Sequence, residues 1–206
     1  KKTWRLFNKY IIGVVLLLLM TFLVGIGYIV WDRPVDSTLS LRVAYSYRPT
    51  DQINFRPLLN GGVLHSGDRY QIRFTPEQDG YVYVFQIDSS GSVYRLFPSE
   101  GNGATTQQAS SVNPVRAGVT YFVPAEDEAF QLDDQIGHEQ IYTLAFKEQN
   151  TDLENRYAVL GEARRAQDQS RLAELQTQLI AQLQKTQVGV MSVLNFKHNP
   201  RGSHEL

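Results

Sequence analysis

Four histidines, a few short acidic runs and two serine pairs are the side chains in this 206-residue chain that chemistry would need. No two of His65, His138, His198 and His204 stand four apart, the spacing that puts two imidazoles on one helix face for zinc. All four fall in segments that read as loops or tail. His138 stands beside Glu139, which would suit acid–base or metal work, but a surface histidine next to a turn carboxylate is the simpler reading. The runs Glu126-Asp127-Glu128 and Asp133-Asp134 lack the loop that gathers six to eight oxygens around calcium, and read as solvated turns. Ser89-Ser90 and Ser110-Ser111 have neither a Gly-x-Ser-x-Gly elbow nor a Ser-x-x-Lys partner. Cysteine is absent, which removes thiol nucleophiles, thiolate metal sites and disulfides. The sequence therefore offers no catalytic, cofactor or metal residue, and a non-enzymatic protein is expected.

The elements around these residues are mostly strands. Leu39, Leu41, Val43, Tyr45 and Tyr47 alternate with smaller or polar residues, the signature of a half-buried strand. Gly67-Asp68 opens a second, in which Tyr70, Ile72 and Phe74 share one face and Arg69, Gln71 and Arg73 the other. Tyr81–Ile87 is dense in aromatic and β-branched residues and is the best candidate for a central strand. Asp88-Ser-Ser-Gly91 is a hairpin turn, and Ser92–Phe97 returns from it to stop at Pro98. Residues 99–113 hold almost no large apolar side chain and read as a mobile loop able to cover a pocket. Strands at Val119–Val123, Ala129–Leu132 and Gln140–Phe146 follow.

At residue 152 the texture becomes helical. Leu153, Tyr157 and Leu160 form one stripe, and Leu172, Leu175, Leu179, Ile180 and Leu183 a second. Thr151 or Asp152 would cap the start. Gly161–Arg171 separates the stripes, so either two helices or one broken helix fits. Val188–Phe196 returns to strand composition, and residues 197–206 read as a polar tail. The segments are thus a β domain over 39–151, a helical segment over 152–187 and a closing strand over 188–196. The expected fold is mainly β, a β-sandwich or open barrel of seven or eight strands with a C-terminal helical segment.

The ordered series Leu64-x-x-Gly67-Asp68, Tyr81–Phe85, Asp88-Ser-Ser-Gly91, Leu96-Phe97-Pro98, Asn113, Ala117-Gly118, Pro124, Phe130-x-Leu132 and Gly137-x-Glu139 resembles the bacterial family known as domain of unknown function 4384, over about residues 60–147. The resemblance implies an all-β domain, often joined to membrane anchors or to unrelated modules, and implies no catalytic residues. Gly67, Asp68, Gly91, Pro98, Gly118 and Gly137 read as turn formers and strand stops. Glu139 reads as a carboxylate that bonds backbone amides at a corner.

Before all of this lies an uncharged run from Tyr10 to Trp31. As a helix at about 1.5 Å per residue it could cross a hydrocarbon core of roughly 30 Å. Lys1, Lys2, Arg5 and Lys9 precede it without an acid, which places residues 1–9 in the cytoplasm and the chain after the linker 32–38 outside. The apolar core is longer than a cleaved signal needs, so the run reads as an uncleaved anchor. Gly13, Gly25 and Gly27 could let it pack on another helix. The expected location is a bacterial inner membrane, with the domain in the periplasm. The net charge of −1 includes four N-terminal cations, so the exported part is mildly acidic and nucleic acid is not an expected partner.

Three functional readings follow. The preferred one is an accessory or assembly subunit, with the bilayer and other membrane or periplasmic proteins as partners. Its contact residues would be Tyr81 and Tyr83 on the sheet and Leu172, Leu175, Leu179 and Leu183 on the helix; the alternative for both sets is the domain's own core. The second reading is a ligand-binding sensor module, and the third a hydrolase with a dispersed site.

Overall fold

The structure, a computed structural model, describes residues 39–99, 112–185 and 190–202. The apolar run 10–31, with Gly13, Gly25 and Gly27, lies outside them. Among the described residues no helix is long and apolar enough to cross a membrane. The described residues form ten strands and two helices: β1 Leu41–Arg48, β2 Arg56–Pro57, β3 Gly62–His65, β4 Arg69–Pro76, β5 Tyr81–Ile87, β6 Val93–Phe97, β7 Tyr121–Val123, β8 Phe130–Gln131, β9 Gly137–Phe146, α1 Thr151–Arg165, α2 Gln169–Lys185 and β10 Val190–Asn199.

The strands divide between two five-stranded sheets. The first runs β2-β1-β4-β7, with β8 also on β4; the second runs β3-β10-β9-β5-β6. Strand alternation explains why they stack. Tyr70, Ile72 and Phe74 of β4 face Val82 and Val84 of β5, Ile141 and Ala145 of β9, and Leu194 and Phe196 of β10, and all lie in one buried cluster. Phe74 stacks on Tyr121 at 5.2 Å and meets Phe97 edge-on at 5.1 Å, at the centre of this core. Burying aromatics of this size supplies much of the drive for the two sheets to close.

The other face of the second sheet is covered as well. Tyr83, Phe85, Tyr142, Leu144 and Phe146 form a second cluster with Leu153, Tyr157 and Leu160 of α1 and Leu179 and Leu183 of α2. Strands β5 and β9 are therefore buried on both faces, which is why Tyr81–Ile87 reads as a nearly continuous apolar run, interrupted by Gln86. The helix layer is tied on by polar bonds too. The Tyr83 hydroxyl donates to Glu154 Oε1 at 2.7 Å and accepts from the Asn150 amide at 3.1 Å. Asn150, one residue before the expected caps, is the N-cap: its Oδ1 accepts from the Leu153 amide at 3.0 Å. Helix α1 runs through Gly161, and the break falls at Ala166–Asp168, where Gln167 takes φ 56°.

Two sequence readings change here. Strand β10 continues to Asn199 rather than ending at 196, pairs antiparallel with β9 and parallel with β3, and buries His198 at 1% exposure. Strand β9 begins at Gly137, so Gly137 and Glu139 sit inside the ladder rather than in a turn. A polar strand end looks like a tail in sequence because its partners are distant.

Candidate functional site

The inward face of the sandwich turns polar at one end. On β4, β5 and β9 the last inward residues are Tyr70, Gln86 and Glu139, continuing the rows Ile72–Phe74, Val82–Val84 and Ile141–Ala145. Alternation brings the three together. Gln86 is paired with Ile141 in the ladder, so Glu139 is its diagonal neighbour on the same face. The Tyr70 hydroxyl donates to Gln86 Oε1 at 2.6 Å, and Gln86 Nε2 donates to Glu139 Oε2 at 2.9 Å. The Ser89 amide donates to Glu139 Oε1 at 3.2 Å. An ionised carboxylate only accepts, so the amide of Gln86 is held with its nitrogen toward Glu139 and its oxygen toward Tyr70.

This chain forms the floor of a cleft of about 380 Å3, walled by Phe130, Tyr94, Tyr157 and Arg95. The Tyr157 hydroxyl accepts from the Arg95 amide at 3.1 Å, and the Arg95 guanidinium lies 4.7 Å from the Tyr157 ring centre. Glu139 is 3% exposed. Burial raises its pKa above the ordinary value; the bonds from Gln86 and Ser89 pull it down, and the charges of Asp88 and Asp133 push it up. Tyr70 is held protonated by burial first and by the charge of Glu139 second.

The turn beside the cleft is built by the residues that carry the resemblance. Asp88 Oδ1 accepts from the Ser90 amide at 2.9 Å and the Ser92 amide at 2.8 Å, and Gly91 takes φ 81°. A Cβ on Gly137 would lie 2.6 Å from Ser89 Cβ, so glycine is required there by close approach. Elsewhere Asn113 pairs with β5 like an added strand residue: Val82 N donates to its Oδ1 and its Nδ2 donates to Val82 O, both at 2.9 Å. Asp68, 2% exposed, accepts from the His65 amide at 2.9 Å and the Thr50 amide at 3.3 Å, closing the β3–β4 turn. Gly67 and Gly118 take positive φ in turns, and Pro98 follows the end of β6.

The residues expected to meet a partner are buried to different degrees in the second cluster. Tyr83 is fully buried, and Leu179 and Leu183 are 2% and 1% exposed against the second sheet. Tyr81, Leu172 and Leu175 are half-buried against the same cluster. The helical stripe is covered by its own sheet, because β5 and β9 present a second apolar face that must be removed from water.

The Ser89 hydroxyl at the cleft donates to the Gln135 carbonyl at 3.0 Å. A serine–histidine pair exists elsewhere: Ser66 Oγ and His198 Nε2 are 3.1 Å apart. Both residues are buried, and His198 Nδ1 has no hydrogen-bond partner, so no carboxylate orients the ring. Among the described residues no three His, Asp or Glu side chains group closely enough to hold a metal ion. Residues 100–111 lie outside the described residues. The flanking segments attach near Val84, which pairs with Phe97, and Val82, which Asn113 holds, at the other end of β5 from Gln86.

The sequence marks Glu139 as a structural corner carboxylate and Asp88 as part of a hairpin turn; it joins neither to a site and does not single out Tyr70 or Gln86 as functional. The signal was present: Gln86 is the polar residue on the inward row Val82–Val84–Gln86, a position where an unpartnered amide would be costly.

The fold and the cleft define a mainly β domain with two C-terminal helices. Residues 63–149 match the family model Domain of unknown function (DUF4384), a span that holds β4 to β9 and the floor of the cleft. No curated protein and no solved structure matches the chain.

Proposed function

We propose that the protein is a non-enzymatic binding module, carried at the outer face of a bacterial inner membrane by the run 10–31, whose cleft takes a small polar ligand. The observation that carries this is the Tyr70–Gln86–Glu139 chain, a row of hydrogen-bonded polar groups on the floor of a cleft with aromatic walls. A few convergent polar groups among aromatic side chains are the usual composition of a ligand pocket. Amide and carboxylate groups beside ring faces fit a sugar unit, which offers hydroxyls on its edges and C–H groups on its face. The anchor and the periplasmic placement rest on the uncharged run and its four preceding cations.

The test is thermal melting of the full chain in detergent against mono- and disaccharides. A rise in Tm with one saccharide class that disappears in Gln86→Ala, while that variant still melts cooperatively, supports the reading; stabilisation scales with ligand over Kd. If no saccharide shifts the wild type, the sugar assignment fails.

A second reading has its own observation. Ile53 before edge strand β2, Leu59 between β2 and β3, and Val63 on edge strand β3 are 85%, 73% and 45% exposed. Such an apolar edge suits a protein contact, and supports an accessory subunit whose docking residues are these rather than the helical leucines. Gentle extraction and native gels decide it: a fixed-ratio complex lost in Leu59→Ser supports the subunit reading, and a protein that runs alone removes it.

A further inference from the structure

The outer face of the first sheet contains a hollow of about 360 Å3, lined by Arg42, Ala44, Arg73, Thr75 and Thr120 with Gly118 at its rim. Alternation sets this composition. Leu41, Val43 and Tyr45 of β1 and Ile72 and Phe74 of β4 pack inward, so Arg42, Ala44, Arg73 and Thr75 project outward. In the antiparallel ladder Arg42 opposes Thr75 and Ala44 opposes Arg73. The two arginines are therefore diagonal neighbours on one face, a relation that sets residues roughly 7–8 Å apart, with their Cβ atoms somewhat closer. The single methyl of Ala44 leaves the space between them as the floor of the hollow.

Among the described residues neither guanidinium makes an ion pair or a hydrogen bond, and no acidic side chain lines the hollow. Two like charges held side by side without a counter-charge repel, and an anion seated between them removes that repulsion. The Thr75 and Thr120 hydroxyls are 2.9 Å apart. One donates to the other, so the accepting hydroxyl keeps its own hydrogen for a ligand. A carboxylate presents two oxygens in one plane, which a single guanidinium fork matches bidentately. Two forks plus a hydroxyl match the larger set of oxygens on a tetrahedral phosphoryl group.

We propose that this hollow is a binding site for a phosphoryl group, presented by free phosphate or by an anionic lipid headgroup. It is separate from the Glu139 cleft and does not depend on what that cleft binds. The first arm titrates the full chain in neutral detergent with inorganic phosphate at constant ionic strength, read by calorimetry. The second places the full chain in nanodiscs with spin-labelled headgroups, and reads relaxation of the Thr75 and Thr120 methyl signals in phosphatidylglycerol against phosphatidylcholine.

Phosphate binding weakened about tenfold or more in R42Q/R73Q, and changed by less than about twofold in the charge-matched R48Q/R69Q, supports the site and a soluble source. Headgroup relaxation specific to phosphatidylglycerol and lost in R42Q/R73Q supports the site and a lipid source. Circular dichroism and melting of both variants show that each is folded. If neither probe acts on the wild type, or R42Q/R73Q behaves as wild type, or the R48Q/R69Q control loses as much, the proposal is overturned.

Discussion

The two sheets are built from the same kind of alternating strand but are used differently. In the second, β5 and β9 bury both faces, one against the partner sheet and one against α1 and α2. In the first, the strands bury one face, and the other carries Arg42, Arg48, Arg69 and Arg73. The second sheet's broad faces are occupied by its own fold, so its chemistry is confined to the end where Gln86 and Glu139 meet Tyr70. The first sheet keeps much of its outer face for solvent and for charge, although Gln71 is buried there against the Ala125, Glu126 and Glu128 carbonyls. Burial of a whole face decides where a β domain can bind: covered strands offer only their ends, and half-covered strands offer a surface.

This contrast breaks most readily at the covered face. Phe85→Ala removes a fully buried ring that packs edge-on against Tyr157 at 5.7 Å, and is expected to cost about 3–5 kcal/mol in urea unfolding of the full chain. A change below about 1 kcal/mol would mean that the helix layer is not part of the folded unit. Leu179→Ala should cost roughly 2–5 kcal/mol for the same reason. A neutral result would return the helical stripe to the surface and to a partner.

The next effects lie at the polar end of the second sheet. Gly137→Ala forces a Cβ to within 2.6 Å of Ser89 Cβ at a backbone φ of 150°. Strain and overpacking of this kind cost about 1–3 kcal/mol, read as a lowered Tm. Because Ser89 also holds Glu139, the same variant should weaken any cleft ligand. Glu139 gives a pH signature. Its folded pKa lies above its ordinary value of 4.5, so the folded protein holds this proton more tightly than the unfolded chain. Its stabilising contribution is fully present below pH 4.5 and is lost as pH rises through the raised folded value. Glu139→Gln should flatten this fall in a series of Tm values across the weakly acidic range. A wild-type Tm that climbs with pH there, with the variant flat, would contradict the burial of the carboxylate.

The smallest effect should come from the exposed edge. Ile53→Ser at 85% exposure is expected to change stability by no more than about 0.5 kcal/mol in the same unfolding assay. A larger loss would show that this edge is covered in the native protein, and would sharpen the case for a partner there.

Much of this architecture is legible in the residue order. The alternation of Leu41–Tyr47 and Tyr70–Phe74, the apolar density of Tyr81–Ile87 and the turn at Asp88–Gly91 are local signals, set by the period of two and by turn chemistry. The helix stripes at Leu153–Leu160 and Leu172–Leu183 are equally local, but their destination is not. Whether a leucine row meets its own sheet or another chain depends on a face formed by Tyr83, Phe85, Tyr142 and Leu144, strands far away in sequence. His198 shows the same limit. On its strand it is a polar residue near a chain end, and only pairing with β9 and β3 buries it.

The sequence by itself determined that most of the chain forms strands, that two helical stripes follow, and that no residue pattern for catalysis or metal binding is present, because each of these is a matter of local spacing and residue type. Tertiary structure alone decided which faces are spent and which are free. Tyr70, Gln86 and Glu139 meet, and Arg42 and Arg73 stand side by side, only because strand register brings distant residues to one place, and register follows from burying the whole sheet rather than from any one segment.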